Sequence, residues 1–406
     1  MSDDATRTAY ERELAQVIGG AARRAPRAPG GYAAQVLTRS RRRRARTQAI
    51  LAAVAVVVVA GGGGIGLREA LGADPPVAAG PAREATPSPA MTLPAMPAVP
   101  DPVAQVWPEA VHTIPAKLPD GRRGRPLTLL DEHTVLLETW ESFEKADAVH
   151  TYDLRTGRTR KVTDIRTPKG VFASGFAVGE GKLVWQTIDK MRTSFWSVPL
   201  SGGKPTAVKT DTPVEGRGDK LVVTGGKIAF SLHEGGVFTL PLEGGAVTPV
   251  EGAGRHHILK WPWVGTPGAY TPDNEPSFER ILNVETGQTS QALVRPGEED
   301  IRCGVTACVG RGPGRKPFYR LRDGSGERAL PDSTPGLAHD RFMTAQVRPG
   351  VQALLDLTTG RSGDLGVRPD AEGRQVSVQP GLDPYDRLIA YELKNEYVLI
   401  DLARIR

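Results

Sequence analysis

The two cysteines of the chain, Cys303 and Cys308, are the residues with the clearest covalent chemistry. Their spacing in CGVTAC allows a bridge across a hairpin turn between two strands. A structural zinc site usually needs four protein ligands, and the chain has no further cysteine to supply them. Because disulfides persist in oxidising compartments, the sequence predicts a Cys303–Cys308 disulfide. Such a bridge stabilises its loop and implies no catalysis.

A second group of chemically versatile side chains lies in RHHILKWPWV, residues 255–264. On a strand, His256 and His257 point to opposite faces, so the two rings do not ligate one ion without help. Trp261 and Trp263 share a face and could form an aromatic platform for a sugar or a peptide. Packing between neighbouring repeat units is the alternative, and aromatic residues are common there. His256, Trp261 and Trp263 are therefore candidate ligand-binding residues, although the sequence favours the packing role.

The sequence offers little further chemistry. Glu298, Glu299 and Asp300 form an acidic run that is typical of a solvated loop. General acid–base catalysis needs two carboxyl groups that face each other, and a sequence does not show such a pair. The chain lacks a phosphate-binding loop, a GxSxG nucleophile elbow, an HExxH zinc helix and repeated Asp-x-Asp calcium loops. We therefore predict no catalytic residue, no metal site and no cofactor.

A repeat with a period of about 41 residues supplies the elements that carry these side chains. Strings such as YDLRTG (152–157) and LDLTTG (355–360) recur along the chain. The third positions of these strings are Leu154, Leu200, Leu242, Val284, Leu321, Leu357 and Leu402. This period is typical of β-propeller blades. The sequence predicts an all-β, seven-bladed propeller over residues 106–406, with six or eight blades as the alternatives.

Each repeat is predicted to contain three recognisable strands and a less regular innermost strand. Alternating apolar residues precede each anchor, as in SFWSVPL (194–200), and a following glycine supplies the positive φ of a short hairpin. The last repeat ends before its outer strand. Residues 110–117 precede the first complete repeat and have no other partner. We expect them to complete the last blade, which closes the ring and removes an open sheet edge.

The repeats resemble those of extracytoplasmic WD-repeat-like and quinoprotein-like propellers, including the bacterial TolB-type propellers. The resemblance rests on the D-L-x-T-G hairpin and covers about 300 residues. It implies a surface propeller outside the cytoplasm. The chain departs from a standard WD array because it has no recurring Trp-Asp pair or Gly-His dipeptide. It also lacks the regular tryptophan docking motif of quinone-dependent dehydrogenases.

The basic excess of the chain lies near its N-terminus. The net charge is +6, but residues 1–48 alone hold eleven arginines against four acidic residues. Six arginines at 39–46 precede residues 47–67, an uncharged stretch that is long enough for one transmembrane helix. The positive-inside rule then puts residues 1–46 in the cytosol and the C-terminal part outside the cell. A cleaved signal peptide is the alternative, although its N-terminal region would be unusually long. This charge distribution excludes a broadly basic nucleic-acid-binding domain.

Two further segments complete the organisation. Residues 68–105 are rich in proline and alanine, which predicts a disordered linker or stalk. The basic segment 1–46 is too short for a core of its own, so its apolar patches need a protein partner or the inner leaflet. This layout resembles that of actinobacterial membrane proteins encoded beside extracytoplasmic-function sigma factors. The histidines and cysteines of a zinc-type anti-sigma domain are missing from it.

These features predict a membrane-anchored extracytoplasmic propeller that acts as a binding, sensing or protein-interaction scaffold in the cell envelope. The expected partners are the cell membrane, an envelope ligand or protein, and a cytosolic protein that binds residues 1–46. No nucleic acid is expected. One alternative is a propeller-based hydrolase or lyase with its site in the central channel. Convergence of His, Asp, Glu or Tyr side chains in the channel would argue against a purely binding role. A second alternative is a sigma-factor regulator that acts through the cytosolic segment.

Overall fold

The computed structural model describes residues 99–142, 145–269, 276–331, 336–370, 373, 378, 383 and 385–406. The predicted cytosolic segment 1–46, the predicted transmembrane helix 47–67 and the predicted linker up to residue 98 lie outside the described residues. Within the described ranges, no helix is long and apolar enough to span a membrane. The helical structure described there consists of α1 (Val103–Val106) and two short 3-10 turns, Pro313–Arg315 and Leu402–Arg404.

The described residues are dominated by short strands in antiparallel sheets. In chain order the strands are β1 (Val111–Pro115), β2 (Gly124–Leu129), β3 (Thr134–Ser142), β4 (Lys145–Asp153), β5 (Thr159–Asp164), β6 (Phe172–Gly179), β7 (Lys182–Asp189), β8 (Arg192–Pro199), β9 (Thr206–Val208), β10 (Val214–Glu215), β11 (Gly218–Thr224), β12 (Lys227–Leu232), β13 (Val237–Pro241), β14 (Thr248–Pro249), β15 (His257–Lys260), β16 (Trp263–Thr266), β17 (Arg280–Asn283), β18 (Thr289–Gln291), β19 (Glu299–Cys303), β20 (Ala307–Arg311), β21 (Pro317–Leu321), β22 (Arg328–Ala329), β23 (Phe342–Arg348), β24 (Val351–Asp356), β25 (Ser362–Asp364), β26 (Leu388–Leu393) and β27 (Glu396–Asp401).

These strands form seven sheets, which are the blades of a propeller ring. Blades 1, 3, 4 and 5 each contain four consecutive strands, namely β2–β5, β11–β14, β15–β18 and β19–β22. Blade 2 contains β6–β10, with β9 and β10 both paired to β8. Blades 6 and 7 contain three described strands each, β23–β25 in the first and β26, β27 and β1 in the second. The predicted seven-bladed, all-β architecture is confirmed.

The N-terminal strand closes the ring, as predicted. Strand β1 pairs antiparallel with β27, from Val111 opposite Ile400 to Pro115 opposite Glu396. The backbone N–H of Asp401 also donates to the carbonyl of Ala110 at 2.8 Å. Because β1 supplies the outer strand that the last repeat lacks, both ends of the ring meet in one blade.

The folded region begins earlier than the predicted boundary at residue 106. Pro102 forms a parallel bridge with Asp364, and the N–H of Asp364 donates to the carbonyl of Asp101 at 2.8 Å. Val103 and Trp107 are about 95% buried in the core between blades 6 and 7. Residues 101–105, which the linker was expected to include, therefore belong to the described propeller fold.

One hydrogen bond recurs in all seven blades and explains the repeat. The N–H of the residue that follows one strand donates to the carbonyl of the residue just before the preceding strand of the same blade, at 2.7–3.0 Å. The donor–acceptor pairs are Leu154–His133, Leu200–Gly181, Leu242–Gly226, Val284–Pro262, Arg322–Thr306, Leu357–Arg341 and Leu402–Arg387. In blade 5 the donor is Arg322, so the anchor predicted at Leu321 is wrong by one residue. Leu321 is instead 40% exposed.

The hydrophobic core lies between neighbouring blades. Phe195 of blade 2 packs on Phe230 of blade 3 with ring centroids 4.6 Å apart, and both side chains are almost fully buried. The seven hydrophobic clusters of the described residues lie between residues 103 and 405. Residues 99–406 thus hold all seven described blades, and strand β1 closes the ring.

Candidate functional site

The blades surround a central channel with a cavity of about 770 Å³. Its walls come from the first strands β2, β6, β11, β15 and β19, and from the turns that precede β23 and β26. Side chains from residues far apart in sequence therefore meet at the ring axis. Several of them are charged, which distinguishes this cavity from the apolar interfaces between the blades.

Two lysines occupy the side of the channel formed by blades 3 and 4. Lys220 lies on β11, and its Nζ donates to the carbonyl of Leu259 at 2.7 Å. Lys260 ends β15 beside it and also lines the cavity. Burial lowers the pKa of Lys220, whereas the carboxylates of Asp386 and Asp219 act in the opposite direction. The two ammonium groups give this wall of the channel its positive charge.

Asp219, next to Lys220 on β11, contacts a histidine of blade 4. Its Oδ2 accepts a hydrogen bond from Ser231 Oγ at 3.2 Å and lies 3.4 Å from His257 Nδ1. The Asp219 and His257 side chains are only 20% and 16% exposed. The carboxylate of Asp219, which lines the channel, therefore orients the imidazole of His257 behind it in blade 4.

Carboxylates from blades 6 and 7 also line the channel. Asp386 Oδ2 accepts the N–H of His339 at 2.6 Å, and burial raises the pKa of Asp386 to about 6, against the lowering effect of Lys220 and Lys260. Asp383 accepts the N–H groups at the start of β26, and burial raises its pKa as well. These carboxyl groups bind a proton more readily than exposed aspartates do.

Asp340 has a different role, because it holds the disulfide hairpin in place. Its Oδ2 accepts the N–H groups of Val305 and Thr306, which lie between β19 and β20, at 3.1 and 3.2 Å. Asp340 and Asp386 both have a positive φ, 54° and 58°. Aspartate tolerates this left-handed region better than most residues. The two turns therefore hold their carboxylates in backbone conformations that depend on the surrounding contacts.

The arginine that follows each of these aspartates fixes its turn from outside the channel. Arg341 binds Asp356 through Nε and Nη2, both at 2.8 Å. Arg387 binds Asp401 in the same way, at 2.8 and 2.6 Å. Asp356 and Asp401 are the residues before the anchors of blades 6 and 7. The Asp-Arg pair in HDRF and YDRL is thus a repeated signal that sequence reasoning missed.

Tyr385 joins the turn before β26, in blade 7, to strand β6 of blade 2. Its hydroxyl donates to the carbonyl of Val178 and accepts the N–H of the same residue, both at 2.6 Å. Val178 lies on β6, the innermost strand of blade 2. The turn that carries Asp383 and Asp386 therefore extends into the channel and satisfies backbone groups that β6 does not pair with β7.

The predicted disulfide is present between Cys303 and Cys308. The two residues oppose each other on β19 and β20, so the bridge crosses the hairpin of blade 5 as expected. Cys303 lies at the wall of the channel. The bridge fixes the loop whose N–H groups Asp340 binds.

The structure places the candidate ligand-binding residues His256, Trp261 and Trp263 away from the channel, and the two tryptophans in different clusters. Trp261 packs against the cluster between blades 3 and 4, and Trp263 against the cluster between blades 4 and 5, so their rings do not form one platform. Trp261 Nε1 donates to Glu285 at 3.2 Å. Burial, together with Arg280 and His257, lowers the pKa of His256. None of His256, Trp261 and Trp263 lines the channel cavity.

The acidic run 298–300 is solvated only in part, whereas the sequence indicated a solvated loop throughout. Glu298 is almost fully buried and forms a bidentate ion pair with Arg320, which is completely buried. Glu299 begins strand β19 and pairs with Arg315 at 3.3 Å. The buried cation of Arg320, on strand β21 of the same blade, is the physical reason why Glu298 enters the interior.

The described residues contain no group of three or more His, Cys, Asp or Glu side chains that could hold a metal ion. The channel instead offers ammonium groups on one side and carboxylates on the other. Such an arrangement suits a polar ligand that both donates and accepts hydrogen bonds. A carboxyl group with a raised pKa beside lysines could also transfer protons.

Comparisons with known proteins give no family. No family model matches the chain, and no curated protein matches it. Solved structures with a similar fold include YCF48 bound to D1 peptide, with 9% identity and a TM-score of 0.44 over 72% of this chain and 97% of that chain. BamB from Moraxella catarrhalis shares 10% identity, with a TM-score of 0.33 over 68% of this chain and 84% of that chain. An oligogalacturonate lyase in complex with manganese shares 12% identity, with a TM-score of 0.32 over 69% and 76%. At this level the likeness concerns the fold alone.

Proposed function

We propose that this chain is a binding scaffold of the cell envelope, in which a single-pass anchor carries a seven-bladed propeller outside the cell. The observation that carries the binding role is the closed ring around a charged channel of about 770 Å³. A β-propeller scaffold fits a role in protein interaction. Because the ring is rigid, its channel groups are held in place before a partner arrives, which reduces the entropy cost of binding.

Two features support the proposed location. The arginine cluster at 39–46 directly precedes the apolar stretch 47–67, which favours a cytosolic N-terminus and an external propeller. The Cys303–Cys308 disulfide fits a compartment that is more oxidising than the cytosol. The proposal includes a cytosolic protein partner for residues 1–46, and a sigma-factor regulator remains the alternative for that segment.

Photo-crosslinking in living cells tests the binding role. Lys260 is exposed at the channel wall, and Thr289 is exposed on the outer strand β18. A benzophenone amino acid placed at residue 260 is expected to give a defined adduct with an envelope component, whereas the matched control at residue 289 is not. Adducts at neither position, or the same adducts at both, contradict recognition in the channel.

One observation favours an enzyme as the second candidate. Asp386 has a pKa of about 6 and lies among Lys220, Lys260 and Asp383, so the channel contains the converging groups expected of acid–base chemistry. A hydrolase or lyase would release new chain ends from purified envelope polysaccharide or peptide. Loss of this turnover in Asp386→Asn, with binding retained, would support the enzyme. An inactive wild-type protein across such substrates would exclude it in favour of the scaffold.

A further inference from the structure

Charge is distributed unevenly over the propeller. Residues 99–406 carry equal numbers of basic and acidic residues, 39 of each. Residues 155–209, however, carry eleven basic residues and three acidic ones. This segment runs from the end of blade 1 to the outer strand of blade 2. A domain with no net charge therefore has one strongly positive region. The proposed binding role of the channel does not account for this region.

Five residues of this segment lie on the outer strand of blade 1 and in the loops beside it, and we call them the basic edge: Arg155, Arg158, Arg160, Lys161 and Lys204. All five are exposed. The first two lie in the loop between β4 and β5, the next two on the outer strand β5, and Lys204 in the loop between β8 and β9. The basic edge thus combines the rim of blade 1 with a loop of blade 2.

Hydrogen bonds join the two parts of the basic edge. Arg160 donates to the carbonyls of Ser201 and Leu200 at 2.7 and 3.0 Å. The N–H of Gly203 donates to the carbonyl of Val162 at 3.1 Å, which places Lys204 beside strand β5. The two segments that carry the basic edge are therefore held together although they come from two blades.

Few carboxylates neutralise this surface. Asp153 accepts the N–H groups of its own loop at 2.8 and 2.9 Å. Asp164 pairs with Lys161 at 2.9 Å. Among the described residues, Arg155, Arg158 and Lys204 have no carboxylate at ion-pair distance. The basic edge therefore presents a net positive charge to solvent.

The geometry fits an extended anion with repeated phosphates. The basic residues follow one another along the outer strand β5 and its preceding loop, and a strand rises about 3.3 Å per residue. Guanidinium groups match phosphate oxygens in a bidentate geometry. A ligand that spans several such charges gains affinity from multiple contacts, each of which is weak alone.

A membrane surface fits the basic edge less well. Peripheral membrane binding combines basic residues with apolar side chains that enter the bilayer. The large apolar side chains that are exposed in the described structure are Val99, Phe172, Met191, Leu293 and Leu321. None of them belongs to the β4–β5 hairpin or to the β8–β9 loop. The surface is positive without an adjoining apolar anchor.

We propose that the basic edge binds a linear phosphodiester polymer of the cell envelope. The inference deepens the proposed function, because the external location supplies such a polymer, but the binding chemistry does not depend on that location. It gives the propeller a second contact, separate from the channel, through which the ring is held within the envelope.

Binding of inorganic polyphosphate to residues 99–406, measured by fluorescence anisotropy over a range of salt concentrations, tests the proposal. The variant Arg155→Gln/Arg158→Gln/Lys204→Gln removes three charges that have no carboxylate partner. The matched control Arg255→Gln/Lys316→Gln/Arg348→Gln removes three exposed charges of the same types elsewhere. Circular dichroism and thermal unfolding confirm that both variants are folded.

The wild-type domain and the control are expected to bind polyphosphate equally, and the basic-edge variant at least about tenfold more weakly. Loss of three phosphate contacts lowers the slope of log affinity against log salt by about 3. Absent wild-type binding, or equal losses in both variants, overturns the proposal. Equal binding to polyglutamate overturns the phosphate preference, and binding only to phosphatidylglycerol vesicles assigns the surface to a membrane. A propeller that binds polyphosphate but resides in the cytosol refutes the proposed function while this surface stands.

Discussion

The buried ion pair between Glu298 and Arg320 allows a quantitative test of the fold. The Arg320 side chain is 0% exposed and that of Glu298 4%. Arg320 Nη2 donates to Glu298 Oε2 at 2.6 Å, Nη1 donates to the other carboxylate oxygen, and the guanidinium lies 4.4 Å from the centre of the Phe318 ring. The substitution Glu298→Gln keeps the shape of the side chain but leaves a buried cation without its counter-charge.

We expect Glu298→Gln to lower the free energy of unfolding by about 3–5 kcal/mol, which is typical when one partner of a buried pair is removed. Glu327 lies 3.4 Å from Arg320 and is one-third exposed, so its residual attraction favours the lower end of this range. The exposed pair Arg192–Glu215, at 3.0 Å, provides the matched control. Its variant Glu215→Gln is expected to cost less than about 1 kcal/mol.

Urea unfolding of residues 99–406, followed by tryptophan fluorescence, measures both effects. The double variant Glu298→Leu/Arg320→Met is expected to recover much of the loss, because it removes the cation together with its partner. A cost for Glu298→Gln as small as that of Glu215→Gln would refute the buried pair. Failure of the double variant to recover stability would show that the two residues do not act as one unit.

Three further predictions concern the hairpin and the channel. Replacing Cys303 and Cys308 by serine should lower the free energy of unfolding by about 2 kcal/mol, since the bridge closes a short loop, and urea titration with and without reductant checks this. Burial raises the pKa of Asp386 to about 6, whereas the pKa of an aspartate in the unfolded chain is about 4. The stability that the protonated carboxyl group contributes is therefore complete below pH 4 and is lost as the pH rises through 6. Asp386→Asn should therefore remove up to about 3 kcal/mol of pH dependence between pH 4 and 7 and stabilise the protein at pH 8; unchanged pH profiles would contradict this. Tyr385→Phe should cost about 1–3 kcal/mol by leaving the backbone of Val178 unpaired, and hydrogen exchange at the Val178 amide should become faster.

Local periodicity explains why much of the fold was predictable. The hairpin glycines and alternating strands recur every few dozen residues, so blade number and strand order follow from the sequence. Closure by β1 followed from counting strands, since the last repeat lacked an outer strand and residues 110–117 lacked a partner. The Cys303–Cys308 bridge followed from its spacing within one hairpin. All three depend on neighbours along the chain or on simple pairing.

Residues whose environment comes from another blade were not predictable. Leu321 looked like the anchor of blade 5, but Arg322 takes that position and is 4% exposed. Its guanidinium donates to the carbonyls of Phe278 and Glu279 in blade 4, which a pattern of single residues does not show. Within blade 5, Glu298 enters the interior because Arg320, which follows 22 residues later in the chain, is buried beside it.

The channel groups were missed for a similar reason. Lys220 and Asp386 come from blades 3 and 7, and only ring closure brings them to the same cavity. The repeated Asp-Arg pairs at 340–341 and 386–387 were a usable signal, because each arginine pairs with the aspartate before an anchor. The candidate tryptophans were conspicuous by type, but packing between blades accounts for both of them.

Membrane topology tests the proposed location of the scaffold most directly. In a full-length chain, Thr206→Cys places a single exposed thiol on the propeller, and Ser2→Cys places one near the N-terminus. A membrane-impermeant maleimide is predicted to label residue 206 in intact cells and residue 2 only after permeabilisation. Labelling in the opposite order, or protection of both residues until the cells are permeabilised, would contradict an external propeller on a cytosolic anchor.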